Sequence, residues 1–275
     1  MTGSELVGLI PLQSLLNAGK YFLKKQKRSS GVSEKELIRI AIISMGLNEL
    51  APFKPEERVI EYLLRAPGHD KLVRLSLADF ADETASESPA PGGGSVAAYL
   101  GTLGSSLGAM VANLSAQKKD WEYFSDWAEK ATGYNKELIS LVDADTRAFE
   151  GIMAARNLPK ITEAEKAFRR NEIDKATIHA IEIPFRVMKV SLQSMDVLKV
   201  MAVEGNPNSK SDAGVGAVCA RGAVIGAYLN VCINAAGSES DKNITTILSE
   251  GKAIRDLAVA KEKEILELIN LTPNT

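Results

Sequence analysis

Three glycines set between two prolines and a serine, PAPGGGS over residues 89–95, lead directly into a stretch whose small residues recur with helical spacing. Pro89 and Pro91 stop whatever precedes them. Gly92, Gly93 and Gly94 remove every Cβ from the turn, and Ser95 can accept hydrogen bonds from the first amides of a following helix. A helix amino terminus is predicted there. Along it Ala97, Gly101, Gly104, Gly108 and Ala112 fall at steps of four and three, so one face carries almost no side chain. Glycine inside a helix costs about 0.5–1 kcal/mol relative to alanine, so these glycines predict close approach of another backbone or a ligand. A flexible linker is the other reading of a Gly/Ser run, but a linker does not ordinarily run into a small-residue helix face. The turn's amides and the helix dipole suit an anionic or carbonyl-bearing ligand. Neither GxxxxGK[ST] nor a strand followed by GxGxxG is present.

At 275 residues the chain has room for one large domain, or one domain and a smaller appendage. Its formal net charge of −2 supplies no global field toward nucleic acid or an anionic membrane, so any anion site must be local. Cys219 and Cys232 share one apolar helical pattern, and thirteen helical positions separate them by roughly 20 Å, too far to bridge. With only His69 and His179 besides, no close-spaced metal cluster is expected. Residues 1–9 lack a signal-peptide pattern, and no apolar run reaches the ~20 residues of a membrane span. A cytoplasmic protein with neither nucleic-acid nor membrane partner is the expectation.

Two domains are predicted. Residues 1–65 form the first, in which Leu12, Leu15, Leu16, Gly19, Phe22 and Leu23 make a helical stripe after Pro11, and Ser33 with Glu36 reads as a capping box opening a helix that stops at Gly46. Leu6–Ile10 and Val59–Leu64 read as short strands. Such a module cannot bury all its apolar faces alone and should seek a covering surface. Residues 66–72 read as a linker, and residues 73–275 as an all-α domain. Helices are predicted from Ser76 to Ser86, Ser95 to Gln117, Asp120 to Asn157, Thr162 (a second capping box with Glu165) to Glu204, Ser209 or Ser211 to Asn234, and Ser238 or Ser240 to Ile269. Pro184 should kink or break the fourth of these. The predicted fold is therefore an all-α helical bundle with a small α+β unit at its amino end.

The most informative single residue is Asp145. It completes the spacing of the apolar stripe Leu138, Leu141, Val142, Ala148, Phe149 and Ile152. Asp143 lies about 200° round the same helix and has an i,i+4 partner in Arg147, which places it on a solvent face. A carboxylate buried on an apolar stripe raises its pKa, the usual condition of a catalytic acid or base. The alternative is a structural carboxylate bonded to a neighbouring helix amino terminus or ion-paired in the core. A second polar set comprises Gly205, Asn206, Ser211 and Asp212, then Asn230 and Asn234 one turn apart. It could read the edge of a flat heterocycle, or serve as caps and an inter-helix amide network. Lys118 and Lys119 could attract a carboxylate, or simply complement a helix dipole.

PAPGGGSV, the LVDADTRAF segment, LPK at Leu158–Lys160, and the pattern of Gly, Asn, Ser, Asp and Ala from Gly205 to Asn234 together resemble the formiminotransferase-cyclodeaminase family, in its cyclodeaminase domain, over about residues 73–270. SELVGLIPLQSLL, VSEKELIRIAI and LAPFKPEERVIEYLL resemble the carboxyl-terminal end of its formiminotransferase domain. Neither His69 nor His179 falls where the transferase's catalytic histidine would be, and no transferase activity is expected. The resemblance implies a lyase of one-carbon metabolism and histidine degradation that closes 5-formiminotetrahydrofolate to 5,10-methenyltetrahydrofolate with loss of ammonia. It needs no cofactor beyond the tetrahydrofolate substrate, polyglutamylated or not. Asp145 matches the family's catalytic aspartate. Gly92, Gly93, Gly94, Ser95, Lys118 and Lys119 would hold parts of the folate, and Asp212, Asn230 and Asn234 would contact it. Gln117 stands where the family often carries glycine. A homodimer or larger assembly is implied, with the site near the interface. Two other readings are a methenyltetrahydrofolate cyclohydrolase and a non-catalytic assembly subunit for a separate formiminotransferase chain.

Overall fold

The structure, a computed structural model, describes residues 3–64, 72–88, 90–118, 120–237 and 241–269. The predicted linker apart from Leu72, and with it His69, Pro89, Lys119, Ser238 and Ser240, lie outside the described residues. Two compact units are present, Met1–His69 with Ala109–Thr132, and Asp70–Gly108 with Gly133–Thr275.

In the first unit, α1 (Leu12–Lys25) starts after Pro11 and turns Leu15, Leu16, Gly19 and Leu23 inward. Helix α2 (Glu34–Met45) is capped by Ser33, whose hydroxyl accepts from the Glu36 amide, and ends where Gly46 takes φ 68°. The capping box is only half formed, because the Glu36 carboxylate closes on Arg39 instead. Gly19 is required where the two helices cross, since a Cβ there would stand 2.2 Å from the Leu37 carbonyl oxygen. The two expected strands are absent. A single parallel bridge joins Ile10 and Val59, and the chain around it is coiled into α3 (Pro55–Arg58) and α4 (Ile60–Leu63). A short apolar run such as VIEYLL is equally compatible with either structure, and here Val59 stays extended in the bridge while Ile60–Leu63 closes into one turn of helix with Glu61 in it. The cover expected for this module comes from residues 109–132, the end of α6 (Gly93–Ala116) and the start of α7 (Trp121–Arg156). The Ser30 amide donates to Ser125 Oγ at 3.0 Å, Asn113 and Thr132 donate to the Gly31 carbonyl, and Lys20 pairs with Glu129. A Cβ on Gly31 would meet the Ala128 carbonyl carbon at 2.3 Å, so only glycine lets the backbone lie against α7.

In the second unit α5 (Leu77–Ala85) is capped by Ser76. Helix α8 (Glu163–Glu204) opens on the complete Thr162–Glu165 capping box, and α9 (Lys210–Ala235) and α10 (Lys242–Ile269) pack on it and on each other. Of the α6 glycines, Gly104 meets another backbone and Gly101 a side chain. A Cβ at Gly104 would lie 2.8 Å from the Gly216 carbonyl on α9, one at Gly101 would lie 2.5 Å from Ser191 Oγ on α8, and Gly226 faces Ala97. Those close approaches are made within one chain. By length and composition Gly93–Ala116 and Pro207–Ala235 could cross a membrane, which corrects the expectation that no run is apolar enough; here they are packed against one another through these glycines.

Pro184 does not break α8, which continues for 42 residues. A proline has no N–H for the carbonyl four residues earlier, here that of Ala180. Asn234 Nδ2 on α9 donates to that carbonyl at 2.8 Å, so the vacancy in the helix ladder is filled by a side chain from the next helix.

Candidate active site

Helix α6 begins at Gly93, two residues before the expected cap, so Ser95 lies inside its first turn and does not cap it. This frees the Ser95 hydroxyl to face α7. There it lies 2.9 Å from the Val142 carbonyl, 3.1 Å from Asp145 Oδ2 and 3.2 Å from Thr146 Oγ1. The Ser95 amide also donates to the Asp145 carboxylate. The carboxylate can come this close because Gly94 has no side chain; a Cβ there would stand 2.1 Å from Asp145 Oδ1. The tri-glycine turn is therefore explained in part by an acid it must admit.

Burial pushes the Asp145 carboxyl above the ordinary aspartate range, although the Ser95 hydroxyl and amide pull the other way. The helix amino terminus favours the anion and desolvation disfavours it, and desolvation prevails. Both readings of Asp145 thus meet in one residue, a carboxylate bonded to a neighbouring helix terminus that also resists ionisation. Ser95 has one hydroxyl proton and three oxygens in reach, of which the Val142 carbonyl and Asp145 are the two that cannot both receive it. Given to Asp145, that proton stabilises the carboxylate. Given to Val142, it leaves a lone pair on Ser95 Oγ that accepts from Asp145 once the acid is protonated. One arrangement serves both states, which a group that takes and returns a proton requires. The site reaches solvent, because Gly93 is exposed and Asp145 is half-buried.

Asp143 is not on a solvent face. It is 6 % exposed, more deeply buried than Asp145, and accepts from the Leu72 amide at 2.9 Å and the Val73 amide at 3.4 Å. It anchors the 3₁₀ turn Leu72–Arg74 that precedes α5. A second piece of chain thus covers the side of α7 that a single apolar stripe would leave to water.

Of the other predicted site residues, Gly92, Gly93, Gly94 and Ser95 gather at the amino end of α6. Asn230 joins them, its Nδ2 donating to the Gly226 carbonyl and lying 3.3 Å from the Cβ position of Gly93. Asn234 is committed to Ala180, as above. Asp212 sits in the first turn of α9, eighteen residues and about 27 Å of helix from Asn230; the polar set is divided between the two ends of α9. Asn206 is a turn cap, its side chain accepting from the Asn208 amide. Lys118 belongs to the first unit, past the far end of the 24-residue α6. Thr146 was not anticipated, and only its place beside Asp145 pointed to it. Cys219 and Cys232 are free thiols. No group of three or more metal-ligating side chains occurs among the described residues.

The sequence profile described as formiminotransferase-cyclodeaminase matches residues 76–252, and the formiminotransferase domain profile matches residues 1–65. The formimidoyltransferase-cyclodeaminase of Gallus gallus is 36% identical over 272 residues, which cover 94% of this chain and 50% of that protein. The methenyltetrahydrofolate cyclohydrolase of Methylorubrum extorquens is 36% identical over 188 residues, covering 64% of this chain and 90% of the relative. The crystal structure of formiminotetrahydrofolate cyclodeaminase from Thermotoga maritima shares the fold, with a TM-score of 0.59 and 29% identity over 70% of this chain and 96% of that one. The chain spans about half the length of the formimidoyltransferase-cyclodeaminases it matches. With two profiles placed in order along its length and relatives alike over most of it, the chain belongs to the formiminotransferase-cyclodeaminase family.

Proposed function

We propose that the chain converts 5-formiminotetrahydrofolate to 5,10-methenyltetrahydrofolate and ammonia, with Asp145 as the group that moves the proton. N10 of the folate attacks the formimino carbon, Asp145 takes the N10 proton, and the same acid returns a proton to the departing nitrogen. The observation that carries this reading is the half-buried Asp145 carboxyl at the open amino end of α6, raised in pKa and bonded to a serine that suits either protonation state. Gly92, Gly93, Gly94, Ser95 and Asn230 are the substrate contacts retained in it. Asp212 at the other end of α9, Asn234 committed to Ala180, and Lys118 past the far end of α6 are not used in it, and Lys119 lies outside the described residues. The reading includes no cofactor beyond the folate, and a cytoplasmic location.

Similarity to the Methylorubrum cyclohydrolase over 90% of that protein supports a second reading, hydrolysis of the methenyl compound at the same site. Near-ultraviolet absorbance of methenyltetrahydrofolate distinguishes the two. Its appearance from the formimino substrate establishes the deaminase, its disappearance establishes the hydrolase, and neither change with intact protein would exclude both.

Assembly as a homodimer or larger oligomer belongs to the same proposal, on changed grounds. The glycine faces are occupied internally, but Val215, Val218, Leu229 and Ile233 lie on one side of α9 and are exposed. Light scattering of Leu229→Glu/Ile233→Glu against the unmodified chain tests it, and identical monomeric masses for both would refute it.

A further inference from the structure

We propose that the turn joining α7 to α8 binds a small ligand carrying two or more oxyanionic groups, held by Lys160, Lys166, Arg169 and Arg170. These four side chains and Ile173 line a cavity of about 370 Å³, and no acid is among them. Lys166, Arg169, Arg170 and Ile173 are spaced i, i+3, i+4, i+7, so they share one face of α8. Like charges at that spacing oppose the helix, and they stand in its first turns, where the dipole disfavours cations. Lys166 is offset by Glu163 and Arg169 by the Arg156 carbonyl, but among the described residues no such partner stands against Lys160 or Arg170, and a bound anion reverses both costs.

Of the acids nearby, one engages a cation of the site and two are engaged elsewhere. Glu163 pairs with Lys166, Glu165 accepts from the Ile161 and Thr162 amides, and Glu172 pairs with Lys175. Asp174, one turn beyond Arg170, makes no ion pair with it among the described residues. Arg169, which also lines the cavity, is fixed in place by its Nε and Nη2, both donating to the Arg156 carbonyl at the end of α7. The other three cations are exposed, so a single charge would be largely screened, and an anion must engage several of them at once to be held. Arg156 lies eleven residues beyond Asp145, about 16 Å along α7. The site is separate from the candidate active site and stands whatever chemistry Asp145 performs.

The shared chemistry is a polyvalent oxyanion, whether polyphosphate or polycarboxylate. Titration calorimetry with inorganic tripolyphosphate and with tri-glutamate, each at 50 mM and 300 mM NaCl, separates the two sources. The expected result is saturable binding of at least one probe, with one site per chain, weakened on the order of tenfold or more at the higher salt and by a similar factor in Lys160→Gln/Arg170→Gln. Lys175→Gln, which alters a paired lysine outside the cavity, should bind as the unmodified chain does. In the unmodified protein the same probe should shift the Nε–H resonances of Arg169 and Arg170, a measurement that needs no variant to fold. No saturable binding, equal affinity in the double variant, equal loss in Lys175→Gln, or unmoved arginine resonances would each overturn the proposal.

Discussion

Asp143 and Asp145 are two residues apart on one helix, and replacing each by asparagine should affect different quantities. Asp145→Asn retains an oxygen for the Ser95 amide and offers an amino group to Ser95 Oγ, whose own proton can then go to the Val142 carbonyl 2.9 Å away. No partner is lost and a desolvated charge is removed, so stability should hold or rise. In the proposed mechanism the proton-transfer group is then gone, and methenyltetrahydrofolate formation should fall by ~10²–10⁴, or about 2.7–5.5 kcal/mol in the barrier. The pKa sets the sign of the pH dependence. A folded-state carboxyl raised above its unfolded value contributes stability that is fully present below the unfolded value and is lost as pH rises through the folded one. The advantage of Asp145→Asn in thermal melts should therefore widen as pH rises through that window. Turnover by unmodified protein should rise over the same range, as the base ionises. Asp143→Asn keeps only one acceptor for the Leu72 and Val73 amides, leaving one poorly met at a cost of ~1–3 kcal/mol, while turnover per folded molecule stays near normal. Equal loss of turnover from both substitutions, or a stability loss near 3 kcal/mol at Asp145 with activity kept, would refute the division of labour.

Ser95→Ala removes the hydroxyl that stabilises the Asp145 anion, so the acidic limb of the pH–rate profile should move to higher pH; an unmoved limb would contradict the role given to this hydroxyl. Gly94→Ala drives a Cβ into the Asp145 carboxylate and should cost on the order of 1–3 kcal/mol in chemical denaturation, with activity lost as well. Gly31→Ala, which sets a methyl against the α7 backbone, should bring a loss of similar order, whereas a neutral effect would mean that this approach is loose. Asn234→Ala should destabilise by ~1–2 kcal/mol by orphaning the Ala180 carbonyl, and by clearly less when Pro184→Ala restores an amide to bond that carbonyl. Additive losses around that double-mutant cycle would disprove the coupling.

Helix existence was legible wherever a local signal was complete. Thr162 with Glu165, Ser76 before its helix and Gly46 after its own each act within a turn of themselves, and the structure uses each of them. The reading was less successful where the deciding partner is remote. Asp143 was assigned to water because a helical wheel supposes one buried stripe, and α7 is covered on more than one side, by Ser95 at Asp145 and by the Leu72–Arg74 turn at Asp143. Nothing within a turn of Asp143 reports amides about seventy positions earlier. Val59–Leu64 failed for the complementary reason: its period does not distinguish strand from helix, and no other strand occurs among the described residues to decide it.

Asn234 shows why the polar residues of a helical bundle resist assignment by type. Asparagine on a small-residue helix carries donors and acceptors that would suit a heterocycle equally well, and the demand that it meets here is created fifty residues away by a proline. Pro184 was read as a threat to its own helix. Its physical consequence is a free carbonyl at Ala180, and a free buried carbonyl must find a donor. Paired in that way, two unexplained residues explain each other, and Asn234 leaves the set of candidate ligand contacts. Asn230, one turn earlier, returns its amide to its own helix at Gly226 and has its remaining capacity beside the exposed Gly93. Of the two asparagines, it is therefore Asn230 whose replacement by alanine should raise KM for the folate without lowering the melting temperature.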